Sequence, residues 1–315
     1  MTSRGRPRSV TVEARAKLNL GLVVGPLRAD GFHDLVTVFQ SISLADTLDA
    51  RRTDRGFTLE LRHEPAALRG APRATPRGLV PAGKDNLVLR AARLVHERLG
   101  LPGGAAFRCT KRIPAQAGMG GGSADAAAAI AAVLALHGRR LPRLERIRLA
   151  ADLGSDVPFA VTGGTALGLG RGEKLQPLRL SAPFRAVVAV PAWRVPTGAA
   201  FARFDKAKYT LTGWTVALRL AASLGRKRVT PLGGVRFGNS FERALGPRKR
   251  DFDSLCARLR AAGLLEPQLT GSGSGVFGIL PKGVRAREVA GRFTGSEWLF
   301  AVRSVGRGLR LRTQP

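Results

Sequence analysis

Apolar and polar residues alternate along the start of the chain with the period of a β-strand. Every second residue from 10 to 22 is apolar, which predicts a strand over residues 10–24. Residues 28–31 read Arg-Ala-Asp-Gly, which is typical of a turn. A second apolar segment covers residues 35–44, and residues 57–61 alternate again. Strand periodicity therefore dominates this part of the chain.

The pattern then changes to that of helices. Residues 63–84 are rich in Pro, Gly and Arg and predict a long surface loop. Asp85 or Asn86 is expected to cap the next helix, because apolar residues share one face of it: Leu87, Ala91, Leu94 and Val95. A strand over residues 107–113 leads through a glycine-rich segment into an alanine-rich helix over residues 123–136.

The second half of the chain mixes helices and strands without a regular alternation. Helices are predicted over residues 144–153, 214–224 and 251–262, and strands over residues 165–169, 186–190 and 276–280. Gly263 is placed to end the third of these helices. This order indicates α+β layers rather than a barrel. Gly163, Gly164 and the glycine-rich segment 168–172 indicate a border between two domains. We predict that these domains cover residues 9–167 and 168–303, and that residues 1–8 and 304–315 are basic tails.

Composition sets broad limits on the class of protein. The chain has 315 residues, 44% of them hydrophobic, which is enough for two ordinary cores. No stretch approaches the ~18–20 consecutive apolar residues of a membrane helix, and the first nine residues do not form a secretory signal. Cys109 and Cys256 have no metal-ligand spacing. Two free thiols are expected, which indicates a reducing, cytoplasmic location.

The charge of the chain is unusually positive. Lys and Arg number 52 against 22 Asp and Glu, which gives a formal net charge of +30. Such a field attracts nucleic acids and anionic small molecules alike. The basic residues are spread along the whole chain, and aromatic residues make up only 6% of it. Because no basic–aromatic interleaving suggests base stacking, nucleic acid is not expected as the main partner.

The strongest chemical signal is the segment Gly-Met-Gly-Gly-Gly-Ser at residues 118–123, between a predicted strand and the alanine helix. Free backbone amides and the positive end of that helix can hold a phosphate. The glycines leave the backbone open to phosphate oxygens, and Ser123 can bind phosphate or its Mg²⁺. A flexible surface turn is the alternative. The segment is not a Walker loop, because no Gly-Lys-Ser/Thr follows.

A second glycine-rich segment, residues 273–278, has the glycine spacing of the dinucleotide-binding pattern but not its structural context. An apolar strand follows Gly275, whereas a dinucleotide fold needs a helix there. The dinucleotide interpretation is therefore rejected. A turn packed near bound phosphates and a simple tight turn both remain open.

Four polar residues are candidates for chemistry, each with an ordinary structural alternative. Lys17 and Asn19 share the polar face of the first strand, where they either meet solvent or point into a cleft. Asp156 is either the N-cap of a short helix or a general base. His33 follows a turn, where a lone histidine is usually just solvated. None of the four decides the function by itself.

Taken together, these segments resemble the GHMP kinase superfamily. The resemblance runs in order over roughly residues 10–280 and rests on residues 14–20, 28–33, 114–126, 154–159 and 269–277. Residues 17–19, 29–33, 154–159 and 195–197 narrow it to the branch that phosphorylates a CDP-linked methylerythritol for non-mevalonate isoprenoid synthesis. The resemblance implies an N-terminal domain like ribosomal protein S5 domain 2, a C-terminal α/β sandwich domain, and an active site between them.

The resemblance also implies roles for individual residues. Asp156 would deprotonate the 2-hydroxyl of the acceptor, while Lys17 would polarise that hydroxyl or stabilise charge during transfer. ATP is the expected co-substrate with Mg²⁺, for which Ser123 is the candidate ligand. The expected ATP-binding residues are Asn86, Leu87, Pro114, Ala115, Gln116, Ala117, Gly118, Met119, Gly120, Gly121, Gly122, Ser123 and Ala124. The expected acceptor-binding residues are Asn19, Phe32, His33, Phe201, Gly271 and Gly273, with Phe32 and Phe201 stacking on the cytosine and His33 hydrogen-bonding its edge.

Some residues depart from the family pattern. Phe32 stands where Tyr is usual, so a hydroxyl is lost while the ring remains, and Ala124 stands where a second Ser is common. Two alternatives stay open. One is a sibling kinase acting on mevalonate, homoserine or a sugar, and the other is a polyanion-binding protein without catalysis.

Overall fold

The computed structural model describes residues 7–70, 83–206, 228–229 and 238–314. The helix predicted over residues 214–224 lies outside these ranges. Residues 71–82 of the predicted surface loop and residues 1–6 of the first tail lie outside them as well.

The described strands form two sheets. Their bounds are β1 Ser9–Leu27, β2 His33–Thr53, β3 Phe57–His63, β4 Gly104–Lys111, β5 Thr165–Leu169, β6 Lys174–Leu180, β7 Arg185–Val190, β8 Arg228–Val229, β9 Leu265–Leu269, β10 Val276–Ile279, β11 Trp298–Arg303 and β12 Leu309–Gln314. The first sheet has eight strands in the order β12-β1-β2-β5-β6-β8, with β4 joining β2 to β3. The second sheet has the order β11-β7-β10-β9.

The described helices lie between and around these sheets. Their bounds are α1 Leu87–Leu99, α2 Gly121–Leu136, α3 Arg143–Ala151, α4 Val157–Thr162, α5 Thr197–Lys206, α6 Lys249–Ala261 and α7 Ala286–Arg292. Short 3₁₀ turns cover Ser240–Arg243 and Gly246–Arg248. None of the helices in the described part of the chain combines the length and apolar character needed to cross a membrane. Mixed helices and sheets confirm the predicted α+β class.

Strands β1 and β2 form the long antiparallel hairpin on which the first sheet is built. The alternation seen in the sequence is followed closely, because Val10, Val12 and Ala14 are buried while the residues between them are partly exposed. The predicted turn closes the hairpin, with the Arg28 amide donating to the Phe32 carbonyl at 2.7 Å. Gly31 has φ +80°, a left-handed value that explains the glycine.

Helix α2 is buried in the first core, and its composition explains how. Small alanine side chains let a helix pack closely against neighbours on several sides, and α2 contacts α1, β1 and β2. Helix α1 begins at the predicted cap, where the Asn86 side chain accepts a hydrogen bond from the Val88 amide at 2.8 Å. It ends at Gly100, whose φ of 56° suits the left-handed helix end.

The second sheet separates two hydrophobic cores. One face, with Val188 and Phe300, belongs to the core that contains α1 and α2. The other face, with Val187 and Leu299, packs against α5, α6 and α7. Strand β1 contributes residues up to Leu18 to the first core and Leu22 to the second. Residues between these two positions therefore lie at the junction of the cores.

Two of the sequence predictions concern the domain border and the second tail. Strand β5 contains residues 167 and 168, and β5 and β6 both belong to the first sheet, so the border between 167 and 168 stays a prediction. Within the predicted tail 304–315, residues Leu309–Gln314 form β12, antiparallel to β1. The β1–β12 ladder holds this segment in the sheet, and the Arg312 guanidinium lies 3.3 Å from the Glu13 carboxylate across the pair.

Candidate active site

A cleft of about 660 Å³ lies at the junction of the two cores. It brings together segments distant in the sequence: β1, the start of α1, the glycine-rich loop, the start of α4 and the turn after β9. The sequence-predicted residues that line it are Lys17, Asn19, Asn86, Leu87, Pro114, Ala115, Gln116, Ala117, Gly118, Met119, Gly120, Gly121, Gly122, Ser123, Asp156, Phe201 and Gly271. The predicted residues outside its lining are Phe32, His33, Ala124 and Gly273.

The glycine-rich loop delivers free amides to the cleft. Gly118 and Gly120 have φ of +71° and +69°, so the chain reverses tightly before α2 begins. Gly120 is the N-cap, and its carbonyl accepts the first helical hydrogen bond, from the Ala124 amide at 2.9 Å. The amides of residues 121–123 precede that first bond and have no intrahelical acceptor. They lie at the positive end of a helix of 16 residues, which is the kind of position that favours an anion.

Ala124 and Gly273 support this loop from behind. Ala124 lies in the first turn of α2, and its side chain is buried in the first core. Gly273 has φ +97°, and a Cβ there would meet the Leu269 side chain at 3.2 Å. Both therefore shape neighbouring backbone, and their predicted binding roles stay predictions.

The turn of residues 270–275 packs directly on the glycine-rich loop. The Gly275 amide donates to the Ala117 carbonyl at 3.2 Å, and the Thr270 hydroxyl donates to the Gly118 carbonyl at 3.4 Å. A Cβ on Gly118 would lie 2.0 Å from the Thr270 carbonyl oxygen, so only glycine fits. The segment is followed by strand β10 and not by a helix, which agrees with rejecting the dinucleotide pattern.

Lys17 is a buried cation that lines the cleft. Its ammonium donates to the Asn19 side-chain oxygen at 2.6 Å and lies 3.6 Å from a carboxylate oxygen of Asp156. The Lys17 side chain is 8% exposed, whereas that of Asp156 is 36% exposed. The pair therefore has a fixed inner member and an outer member open to the cleft.

Asn19 holds Lys17 in place. Its side-chain oxygen accepts from the Lys17 ammonium and from the Gly271 amide at 2.9 Å, and its side-chain nitrogen donates to the Thr37 hydroxyl at 2.7 Å. Asn19 is buried and tied by these contacts. It links the lysine to the turn that supports the glycine-rich loop.

Asp156 occupies the N-cap position of α4, as one of the two sequence interpretations proposed. Its side chain makes no capping hydrogen bond, so the carboxylate is not used to stabilise the helix. It faces Lys17 and the edge of the loop, because a Cβ on Gly120 would lie 3.8 Å from its carboxylate oxygen and 3.2 Å from Lys17 Cγ. The three residues meet at one point.

Aromatic side chains cluster at one end of the cleft, where Phe201 contributes to its lining. The rings of His33 and Phe201 stack with centroids 5.4 Å apart, and His33 Nδ1 lies 2.8 Å from the Gly25 carbonyl oxygen. Phe32 is 49% exposed, and the Arg171 guanidinium lies 4.4 Å from its ring centroid. Phe201 also contacts Phe241 edge to face, with ring centroids 4.9 Å apart. The predicted stacking of the cytosine between Phe32 and Phe201 stays a prediction.

Sequence analysis missed a buried ionic cluster behind the loop. The Lys111 ammonium binds carboxylates of both Asp46 and Asp125, and Asp46 also accepts from the Ile113 amide at 2.8 Å. Lys111 and Asp125 line the inner wall of the cleft. Burial raises the pKa of Asp125 to about 7, against the opposing effect of Lys111. The sequence offered one sign of this cluster, which is that Asp125 is a lone acidic residue within an alanine-rich helix.

Asp46 fastens the chain where β4 runs into the glycine-rich loop. Its carboxylate accepts from the Arg112 and Ile113 amides, which follow the end of β4 directly. Asp125 lies in the first turns of α2, on the other side of the loop. Through Lys111 the two ends of the loop are therefore connected, which fixes the positions of its amides.

Comparison with known proteins agrees with this geometry. A family model described as the GHMP kinases N terminal domain matches residues 86–164. The chain is 41% identical over 302 residues to the 4-diphosphocytidyl-2-C-methyl-D-erythritol kinase of Salinispora arenicola, covering 91% of this chain and 90% of that protein.

Two solved structures extend the comparison to three dimensions. A crystal structure of 4-(cytidine 5'-diphospho)-2C-methyl-D-erythritol kinase superposes with a TM-score of 0.71 at 33% identity, covering 94% of this chain and 99% of that one. A homoserine kinase from Cytophaga hutchinsonii gives a TM-score of 0.72 at 18% identity, covering 99% and 100%. At that identity the second likeness shows the fold alone.

Proposed function

Because the chain belongs to the family of 4-diphosphocytidyl-2-C-methyl-D-erythritol kinases within the GHMP kinases, we infer that it phosphorylates the compound for which that family is named. The γ-phosphate of ATP is transferred to the 2-hydroxyl, giving ADP and the 2-phosphate in the non-mevalonate route to isoprenoid precursors. The homoserine kinase likeness concerns the fold only, so it supports no sibling substrate. Membership in a family of enzymes also argues against the alternative that the chain is a polyanion-binding protein without catalysis.

ATP is held by the glycine-rich loop in this proposal. The triphosphate lies on the free amides of residues 121–123, where the helix end and the absence of Cβ atoms favour it. Asn86 and Leu87 line the same cleft and are assigned to the adenosine side. The Asn86 side-chain oxygen caps α1 and is therefore not available to the base, whereas the Leu87 side chain offers the base an apolar contact.

The Lys17–Asp156 pair is the observation that carries the proposal. Asp156 accepts the proton of the 2-hydroxyl as its oxygen forms a bond to the γ-phosphorus, and the bond from that phosphorus to the leaving ADP oxygen breaks. Lys17, 3.6 Å from Asp156, stabilises negative charge on the transferring group. Asn19 fits a positioning role toward Lys17 better than the acceptor-binding role predicted from sequence.

Mg²⁺ is proposed as the companion of ATP. The residues present fit it, because the Ser123 hydroxyl and Asp156 carboxylate are oxygen donors lining one cleft, and Mg²⁺ is commonly held by few protein oxygens together with substrate phosphates. Across the described ranges no group of three or more His, Cys, Asp or Glu is clustered for a metal. The ion supplies neutralisation of charge on the phosphates when bound.

The cytidine end of the acceptor is assigned to the aromatic end of the cleft. His33 and Phe201 already stack, so entry of a base between Phe32 and Phe201 requires these rings to rearrange. Arg171 lies over the exposed ring of Phe32, 4.4 Å from its centroid. We also propose a cytoplasmic location, which the two free, buried cysteines support.

A substrate panel tests the function. The full chain is incubated with Mg-ATP and, separately, the CDP-linked methylerythritol, free methylerythritol, mevalonate and homoserine, and ADP release is followed. The proposal expects release with the CDP-linked compound at least about tenfold above every other acceptor. Equal release with mevalonate or homoserine, or none above an enzyme-free blank, would overturn it.

A further inference from the structure

A second concave site lies at the opposite end of α2 from the cleft. It is a groove of about 1200 Å³ between the end of α2, the residues that follow it, the end of α4, and β12. Helix α2 has 16 residues, so at 1.5 Å per residue the groove lies about 24 Å from the glycine-rich loop. The two sites are therefore separate.

The rim of this groove is strongly positive, and we call it the basic groove. It is defined by five arginines: Arg8, Arg139, Arg140, Arg146 and Arg307. No Asp or Glu stands among its lining residues. Elsewhere in the described chain, arginines form ion pairs with acidic residues, as Arg258 does with Glu297. Within the ranges that the structure describes, none of the five rim arginines has a carboxylate within ion-pair distance.

Stabilisation of helix ends does not account for these arginines. At the end of α2 the carbonyls of Val133, Leu134 and Ala135 already accept from backbone amides. Arg146 adds a second observation, because its Nε is buried and, in the described residues, has no hydrogen-bond acceptor. A buried donor of this kind is costly unless an acceptor reaches it.

The floor of the basic groove is apolar. It includes the buried Leu134 and the half-buried Ala135, Leu141 and Val161. No Phe, Tyr, Trp or His lines it, so it offers no surface on which nucleic-acid bases could stack. An arginine rim over an aliphatic floor instead matches a molecule with a phosphate group at one end and an apolar body at the other.

We propose that the basic groove is a binding site for a small phosphorylated ligand with an aliphatic body. Guanidinium groups of the rim bind the phosphate oxygens, and the aliphatic part covers the leucine and alanine floor. The site is independent of the cleft and takes no part in phosphoryl transfer. It also gives one use for part of the +30 net charge, which the substrates of the cleft do not require.

The test measures binding of octyl phosphate by calorimetry at about 0.15 M salt, with the cleft filled by a non-hydrolysable ATP analogue. The full chain is compared with the double variant Arg140→Gln/Arg146→Gln and with Arg250→Gln/Arg287→Gln. The second variant removes the same charge from exposed arginines of α6 and α7. Kinase activity, expected to be unchanged in both, verifies folding.

We expect octyl phosphate to bind the wild type and to lose about tenfold or more in affinity in the groove variant alone. Inorganic phosphate and octanol are expected to bind more weakly than octyl phosphate, because the first lacks the aliphatic body and the second lacks the phosphate group. An equal loss of octyl phosphate affinity in both variants would show that the effect depends only on the overall charge, and it would overturn the proposal. It would also be overturned if a single-stranded RNA lost affinity in the groove variant while octyl phosphate bound neither protein.

Discussion

Gly120→Ala tests whether the position of the Lys17 side chain matters for catalysis. Gly120 has φ +69°, and a Cβ there would lie 3.2 Å from Lys17 Cγ and 3.3 Å from Lys17 Cε. These contacts are a few tenths of an ångström too short, so the lysine stem must shift away. The left-handed backbone adds a cost of about 1–2 kcal/mol to folding. The variant therefore combines a stability loss with a displacement of the ammonium group.

The matched control is Gly56→Ala. Gly56 has a similar φ of +76°, but a Cβ there would meet nothing within 4 Å. It lies between β2 and β3, outside the lining of the cleft. Both variants should lower the melting temperature by a few degrees, at about 2–4 °C per kcal/mol. Only Gly120→Ala should also lower kcat.

The expected loss of kcat in Gly120→Ala is about tenfold, since a misplacement of 1 Å can cost about a hundredfold and the shift here is smaller. The assay is ADP release at saturating ATP and acceptor, well below the melting temperature of both variants. If Gly120→Ala kept kcat within about twofold of wild type while its melting temperature fell like that of Gly56→Ala, the position of Lys17 would be irrelevant to the chemistry.

Three further outcomes follow from the geometry. Asn19→Ala should lower kcat more than it raises KM, because Lys17 loses its 2.6 Å acceptor; a pure KM effect would contradict the positioning role. Phe201→Ala should raise KM for the CDP-linked acceptor about tenfold and leave KM for ATP unchanged, because the ring belongs to the aromatic end. Asp125 has a raised pKa of about 7, so the folded state retains a proton that the unfolded state releases. Its contribution to stability should therefore be lost as the pH rises from about 4 to about 7. The melting temperature of Asp125→Asn should lack this pH-dependent fall, and a wild type and variant whose melting temperatures changed in parallel with pH would argue against it.

Local patterns predicted much of the fold. The alternation of β1, the Asn86 cap and the alanine-rich helix each depend on neighbours in sequence, and the structure has all three. The glycine-rich loop was predicted for the same reason, since a strand, four glycines and a helix are contiguous. Lys17 and Asp156 were candidates from the sequence, but only the family resemblance gave them catalytic roles, because each residue alone has an ordinary structural explanation.

The remaining features depend on contacts that sequence spacing does not contain. Lys111 binds Asp46 across 65 residues, and neither residue stands in a distinctive local pattern. Gly118 needs to be glycine because of the Thr270 carbonyl oxygen, which lies far along the chain. Strand β12 was predicted as a tail since its arginines hid the apolar alternation of Leu309 and Leu311.

The most direct test of the account is phosphoryl transfer by Asp156→Asn. The formation of the 2-phosphate is measured beside the binding of ATP and of the CDP-linked acceptor, and Asp152→Asn, an exposed acid paired with Arg98, controls for loss of charge. The account predicts that Asp156→Asn lowers kcat by about 10²–10⁴ with both ligands still bound, and that Asp152→Asn stays near wild type. Transfer by Asp156→Asn at the wild-type rate would contradict it.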